Sequence, residues 1–357
     1  MRFFNLDLHI SVIADIKYIF EKLGHSVDSW CISGHSWVFG KKPDSVEIVN
    51  QHTWRDINEQ MINDFCDKYE EVLEQYDGFI VTHTPCFSLL YERFRKPIIV
   101  VASTRYEDPF SQDVMKWAKF NRYLQDKIDN NIIIPVANNK YDARYTSLFT
   151  ERDWQVIPSL CEYTNSDYFG NESPRESFLY SSRLSLPDTI KNLTPKEDAL
   201  PRGYTWEQLA SFKGVVHIPY NASTMSIFEQ YTANIPLFFP TYEFMKELRE
   251  KYYRNGVLSE LSWNQVFKYP SYSILGTIPD PNDYANNNAM MEWVKDADFY
   301  DEKNMPFLQY FNSFEELEER LQSTDVNEIS HKMRAHNEER RRQVYEKWQT
   351  LLEQLEC

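Results

Sequence analysis

Glu229 sits in the middle of GVVHIPYNASTMSIFEQYTANIPLFFP, residues 214–240. Two apolar runs, GVVHIPY and IPLFFP, flank small hydroxyl residues and a segment with helical spacing, so the stretch predicts strand, helix, strand. A helix that follows a strand in a wound sheet points its N-terminus at the crevice beyond the strand ends. Its first backbone N–H groups, here near Ser223, Thr224 and Met225, and its dipole suit an anion such as a diphosphate. Glu229, about one turn further on, offers a carboxylate to hydroxyl donors. Asn221 adds a side-chain amide ahead of the helix. Arg183, in FLYSSR, is the expected cation, because a guanidinium holds phosphate through paired hydrogen bonds. Lys191 and Arg202 are lesser candidates for that task. His217, alone on an apolar strand, reads as a core residue.

A second group lies in the first half of the chain. Asp7 and His9 close one predicted strand, His83 in FIVTHTP closes another, and Arg105 and Glu107 in VVASTRYED close a third. Three strand ends thus bring ionisable groups to one rim. A group there that takes a proton from a hydroxyl must reach it and hold a suitable pKa. His9 is the first choice for this base, with Glu107 and Asp7 behind it.

Other chemistries find little footing. No D-x-D triplet closes a strand; Asp296 and Asp298, in VKDADFYDE, fall in a helix or loop and read as a solvated face. With 9 glycines and neither G-x-x-x-x-G-K-[ST] nor G-x-G-x-x-G, a P-loop or dehydrogenase site is disfavoured. The 5 cysteines are scattered without a C-x-x-C pair, which predicts reduced thiols and no zinc site. No metal and no cofactor are expected.

The elements that must position these groups alternate. Phe3 to Leu8 predicts a strand, and Val12, Ile16, Ile19 and Leu23 then share one helical face that Gly24 terminates. SVDSWCIS predicts the second strand. A helix is expected from about Trp54, with Thr53 as N-cap and Ile57, Met61, Phe65, Tyr69 and Leu73 in one row. GFIVTHT, PIIVVAST and IIIPVAN are β-branched runs with few charges, as strands buried on both faces should be. WQVIPSL predicts the last strand of this half, and 161–177 the connection between two domains. SFLYSSR opens the second half, followed by a polar stretch to Arg202. MPFLQYF predicts a late strand, and Ser313 with Glu316 a capping box opening the helix SFEELEERL. Val344, Trp348, Leu351 and Leu355 form the apolar row of a final helix.

The 214–240 unit resembles the donor-binding signature of GT-B glycosyltransferases. Glu229 and Pro236 are seven apart, as in that family's E-A-M-A-x-G-x-P pattern, and the opening strand, helix and LGHSV run are similar to how such enzymes begin. The resemblance implies an α/β fold of two Rossmann-like domains facing a central cleft, 1–165 for the acceptor and 175–330 for the donor. It also implies a terminal helix, 331–357, that can cross back to the first domain. It implies a metal-independent transferase that takes a sugar from a nucleotide sugar to a glycan, glycolipid or other hydroxyl acceptor. Glu229 would hold the ribose hydroxyls, and Ser223, Thr224 and Met225 the diphosphate. Arg183 would assist the leaving group, with His83 and Arg105 on the acceptor side. Two positions depart from the pattern. Asn221 stands where retaining members carry a first Glu, which leans toward inversion, and Asn234 stands where the family has Gly. A nucleotide-sugar 2-epimerase and an inactive scaffold on the same fold are the alternatives.

The bulk numbers set the frame. A chain of 357 residues with 42% hydrophobic and 15% aromatic content can bury two cores. A net charge of −16 argues against a general nucleic-acid binder. No signal peptide or membrane-spanning run is visible, so a cytoplasmic location is expected. Arg340 to Arg342, with Lys332 and Arg334, read as a solvated face paired with Glu338, Glu339 and Glu346; an anionic acceptor or peripheral membrane contact is the other use.

Overall fold

The structure, a computed structural model, describes residues 1–104, 106–168, 177–186, 190–261 and 277–356, without the side chain of Gln112. The chain divides into two compact units. Among the described residues unit 1 holds 1–159, 277–282 and 344–356, and unit 2 holds 160–261 and 283–343.

Unit 1 is built on β1 (Arg2–Asp7), α1 (Ile10–Lys22), β2 (Ser26–Cys31), α2 (Glu59–Leu73), β3 (Gly78–Val81), β4 (Ile98–Ala102), α3 (Val114–Asp129), β5 (Ile133–Ala137), α4 (Lys140–Thr150) and β6 (Gln155–Val156). Its six strands are parallel in the order β2-β1-β3-β4-β5-β6. Chain direction across the sheet therefore reverses between β1 and β3, where ligands of wound sheets bind beyond the strand ends. The β-branched runs of β3 and β4 are buried at every position, as strands covered on both faces must be. α1 ends where expected: Gly24 takes φ +88, which favours glycine.

Unit 2 repeats the plan with β7 (Phe178–Ser181), β8 (Leu193–Pro195), α5 (Lys196–Ala199), α6 (Trp206–Leu209), β9 (Val215–His217), α7 (Met225–Thr232), β10 (Leu237–Pro240), α8 (Tyr242–Tyr252), α9 (Asn287–Val294), β11 (Gln309–Phe311), α10 (Phe314–Ser323) and α11 (Val326–Leu355). Its parallel order is β11-β10-β9-β7-β8, so the reversal falls between β7 and β9. Gly214 opens β9 because nothing larger fits: a Cβ there would lie 2.5 Å from the Pro236 carbonyl oxygen of the adjoining strand. The expected α/β class with two Rossmann-like sheets is thus what the chain forms.

Several local expectations shift. Thr53 caps no long helix: its hydroxyl binds the Ile48 carbonyl, a short turn covers Trp54–Asp56, and α2 starts after Asn58, whose side chain accepts from Met61 N at 3.1 Å. WQVIPSL and MPFLQYF contract to a two-residue and a three-residue strand. β8 hides in the polar stretch, a short edge strand that tolerates Pro195. Ser313 caps α10 as expected, but Glu316 Oε2 accepts from Asn312 N instead of the Ser313 N–H. α11 begins at Val326, ahead of the expected 331, because the Asp325 carboxylate accepts from Asn327 N and Glu328 N at 3.0 Å. Its residues from Val344 onward group with unit 1, where Trp348 packs edge-on to Phe20 at 5.2 Å. Of the connection expected over 161–177, residues 169–176 lie outside the described residues.

Candidate functional site

In unit 2 the loop from β9 to α7 is fastened from several sides. Leu258 N donates to Pro219 O and Glu260 N to Tyr220 O, both at 2.9 Å. Asn221 turns its Oδ1 back to Ala222 N at 2.7 Å, so its amide serves the loop itself. Ser223 donates its hydroxyl to Asp298 Oδ2 at 2.5 Å. Thr224 occupies the N-cap of α7 without a side-chain cap bond, its hydroxyl lying 3.1 Å from Ser226 Oγ. Met225, the first helical residue, is buried. α7 thus starts just beyond β9, beside the β7/β9 reversal, with the hydroxyl of Ser223 already committed.

One turn along α7, half-buried Glu229 accepts from the Tyr163 hydroxyl at 2.5 Å through Oε1. Trp206 packs edge-on against the Tyr163 ring at 5.8 Å. Carboxylate, phenol and indole thus gather beside the helix start, an arrangement suited to hydroxyls and flat rings.

Arg183 lies at the same reversal but is not an isolated cation. Its Nη1 pairs with Glu260 Oε1 at 2.5 Å and its guanidinium lies 4.3 Å above the Tyr220 ring. Gly256, at φ +102, lets the chain pass: a Cβ there would lie 2.5 Å from Arg183 Cβ. Burial first, and Glu260 next, push the Tyr220 hydroxyl pKa up. Asp298 corrects the expectation of a solvated face, since it is 2% exposed and anchors Ser223. Lys191 and Arg202 are exposed.

His217 is a core residue as expected: it donates Nε2–H to Gln230 Oε1 at 2.7 Å and stacks on Phe239 at 5.1 Å. Burial holds its pKa down at about 4. Asn234 explains its departure from the Gly pattern. It follows α7 at φ +62, a conformation that Asn tolerates next best to Gly. The basic run of α11 is largely the solvated face expected, with Lys332, Arg334 and Arg342 exposed, and Arg340 is the exception. Arg340 is 3% exposed and reaches Asn304 Oδ1 at 2.8 Å, Arg341 pairs with Glu162, Arg334 with Asp167 at 3.2 Å, and Arg342 with Glu339.

In unit 1 Asp7, His9 and His83 meet at the β1/β3 reversal. Asp7 is fully buried and its carboxylate is saturated by backbone. Oδ2 accepts from Thr82 N at 2.8 Å, His83 N at 2.9 Å and Thr84 N at 3.2 Å, while Oδ1 accepts from Leu8 N at 2.7 Å. Burial raises its pKa against those bonds. Asp7 therefore braces the segment that carries His83. His9 and His83 stand ring to ring at 5.0 Å. His83 Nδ1 is 3.2 Å from Ser103 Oγ at the end of β4, and Ser103 in turn donates to Thr82 O at 3.0 Å. His9 Nδ1 is buried without a partner. Burial, then the neighbouring His83, hold the His9 pKa down at about 3, and burial holds that of His83 at about 4. Both imidazoles are neutral at physiological pH. Glu107 is buried at 3% exposure, and its carbonyl accepts from Phe110 N at 2.6 Å. Arg105 lies outside the described residues. Among the described residues no group of His, Cys, Asp and Glu could hold a metal ion, and no helix is long and apolar enough to cross a membrane.

Tyr163, Trp206, Tyr220, Glu260, Asp298 and Ser103 are site residues the sequence did not offer. Tyr163 is 66 positions from Glu229 and Asp298 is 75 from Ser223, so no local spacing joins them.

No protein-family model matches the chain, and no curated protein does. Among solved structures the chain is similar to the glycotransferase of kitacinnamycin, at 12% identity and TM-score 0.47 over 99% of this chain and 98% of that one. It is also similar to the glycosyltransferase SnogD from Streptomyces nogalater, at 10% identity and TM-score 0.45 over 99% of each chain. A third is the spinosyn rhamnosyltransferase SpnG complexed with thymidine diphosphate, at 10% identity and TM-score 0.41 over 94% of this chain and 96% of that one. Likeness at these values decides no activity, which has to be argued from the site.

Proposed function

We propose that the protein is a glycosyltransferase that moves a sugar from a nucleotide sugar to a hydroxyl acceptor. The observation that carries this is the strand–helix unit of unit 2, where α7 starts beyond β9 at the sheet's reversal and Glu229 follows one turn later. N–H groups at a helix start donate to a diphosphate, and a carboxylate one turn on accepts from the hydroxyls of the attached ribose. Arg183, steered by Tyr220 and Glu260, stands at the same strand ends and assists departure of the nucleoside diphosphate.

Unit 1 takes the acceptor. Its reversal presents His9, a half-buried imidazole held neutral, which would receive the acceptor's proton as the new bond forms. Asp7 keeps His83 in place beside it. In this reading the leaving group is stabilised by protein groups, and activity persists in a chelator.

Calorimetry with UDP, GDP, CDP and dTDP on wild type and Glu229→Ala tests it. One nucleotide should bind wild type and lose affinity about tenfold or more in the variant. Binding of none of the four would refute the reading.

A further inference from the structure

Glu229 is held from outside its own helix. Tyr163, which donates to its Oε1 at 2.5 Å, sits in a single turn, Glu162–Thr164. That turn is bounded by Cys161 at φ +56 and Asn165 at φ +47, both in the left-handed region. Non-glycine residues enter that region at an energetic cost, so a turn with one on each side is shaped by its surroundings.

The surroundings are specific. Arg341 of α11 pairs with Glu162, beside Tyr163 in the turn. Just after the turn, Tyr168 N donates to Ala233 O at the end of α7 at 2.7 Å, and Asn234 Nδ2 donates to Asp167 Oδ1 at 3.3 Å. Arg334 of α11 pairs with the same Asp167 at 3.2 Å. Residues 161–168 are thus tied to α11 and to the end of α7, and Trp206 packs against the Tyr163 ring. The phenol has little freedom to leave the carboxylate.

We propose that Tyr163 is a positioning residue for Glu229, holding Oε1 so that the carboxylate is already oriented toward the ribose of the donor. This rests on the glycosyltransferase reading above. A carboxylate on a flexible side chain must lose rotational freedom when a ligand's hydroxyls dock on it. A charge-assisted hydrogen bond made beforehand removes most of that loss. The effect belongs to the nucleoside half of the donor alone, because the diphosphate meets the start of α7.

The test is Tyr163→Phe, which removes one oxygen atom and keeps the ring against Trp206. UDP, GDP, CDP, dTDP and inorganic pyrophosphate are titrated by calorimetry into wild type, Tyr163→Phe and Glu229→Ala. The nucleotide that binds wild type should weaken about tenfold in Tyr163→Phe, while pyrophosphate changes less than about twofold. In turnover the donor's KM should rise with kcat kept. Unchanged or tighter nucleotide binding overturns the proposal, as does an equal loss for pyrophosphate, which marks a merely structural role. Glu229→Ala separates the two levels. If it loses nucleotide affinity while Tyr163→Phe does not, positioning fails and the donor site stands. If it loses none, the donor reading fails and takes the proposal with it.

Discussion

At the β1/β3 reversal of unit 1, two neutral imidazoles stand ring to ring and one buried nitrogen has no partner. At the β7/β9 reversal of unit 2, the side chains near the loop are already engaged: Arg183 with Glu260, Ser223 with Asp298, Glu229 with Tyr163. Both sheets share one winding plan, so the difference lies in the loops and helix starts beyond the strand ends. A binding site gains from groups held in advance, because ordering them at the moment of contact costs affinity. A group that must take a proton has to be neutral and within reach of it. Under the proposed function the two ends would divide the work, unit 2 gripping a ligand and unit 1 moving a proton.

The sharpest way to break this division is His9→Ala. Turnover should fall about 10²- to 10⁴-fold, the range for loss of a general base, with nucleotide affinity within about twofold of wild type. A matched loss of nucleotide affinity would place His9 in binding and erase the contrast.

Asp7→Asn gives the next largest effect, on stability. An amide offers one acceptor oxygen where the carboxylate has two, and its NH2 would face backbone donors. With four N–H bonds at stake, the cost should be on the order of 3 kcal/mol or more by chemical denaturation. A cost near zero would show that the bracing of His83 is not needed.

A further expected effect is in pH dependence. His9, His83 and His217 have folded pKa values lowered from 6.5 to about 3, 4 and 4. The unfolded chain then binds more protons than the folded one as pH drops below 6.5. Their contribution is complete above that value and declines as pH falls toward about 4. The melting temperature should decrease over this window, and His83→Asn should flatten the slope. A slope unchanged in the variant would mean that His83 is not held neutral.

How much of this the sequence showed depends on distance along the chain. The 214–240 unit was legible because strand and helix periods and the Glu229–Pro236 spacing are local. Asn234 kept its place for an equally local reason, a positive φ that Asn tolerates. His9 and His83 were legible as strand ends, since chain order in a wound sheet dictates which ends gather. Asp7 as a brace was not, because whether a carboxylate acts as base or as backbone anchor depends on four N–H groups, three of them from residues 82–84. Arg183 looked like a bare cation because Glu260 and Tyr220 come from loops later in the chain. Of the α11 arginines only Arg340 departs from the solvated reading, because its partner Asn304 belongs to another element.

The measurement closest to the central claim is a crossed titration of UDP, GDP, CDP and dTDP into wild type, Glu229→Ala and His9→Ala. The division of labour predicts that one nucleotide binds wild type and His9→Ala alike and loses most of its affinity in Glu229→Ala. Binding that survives in Glu229→Ala, or fails in His9→Ala, would contradict it.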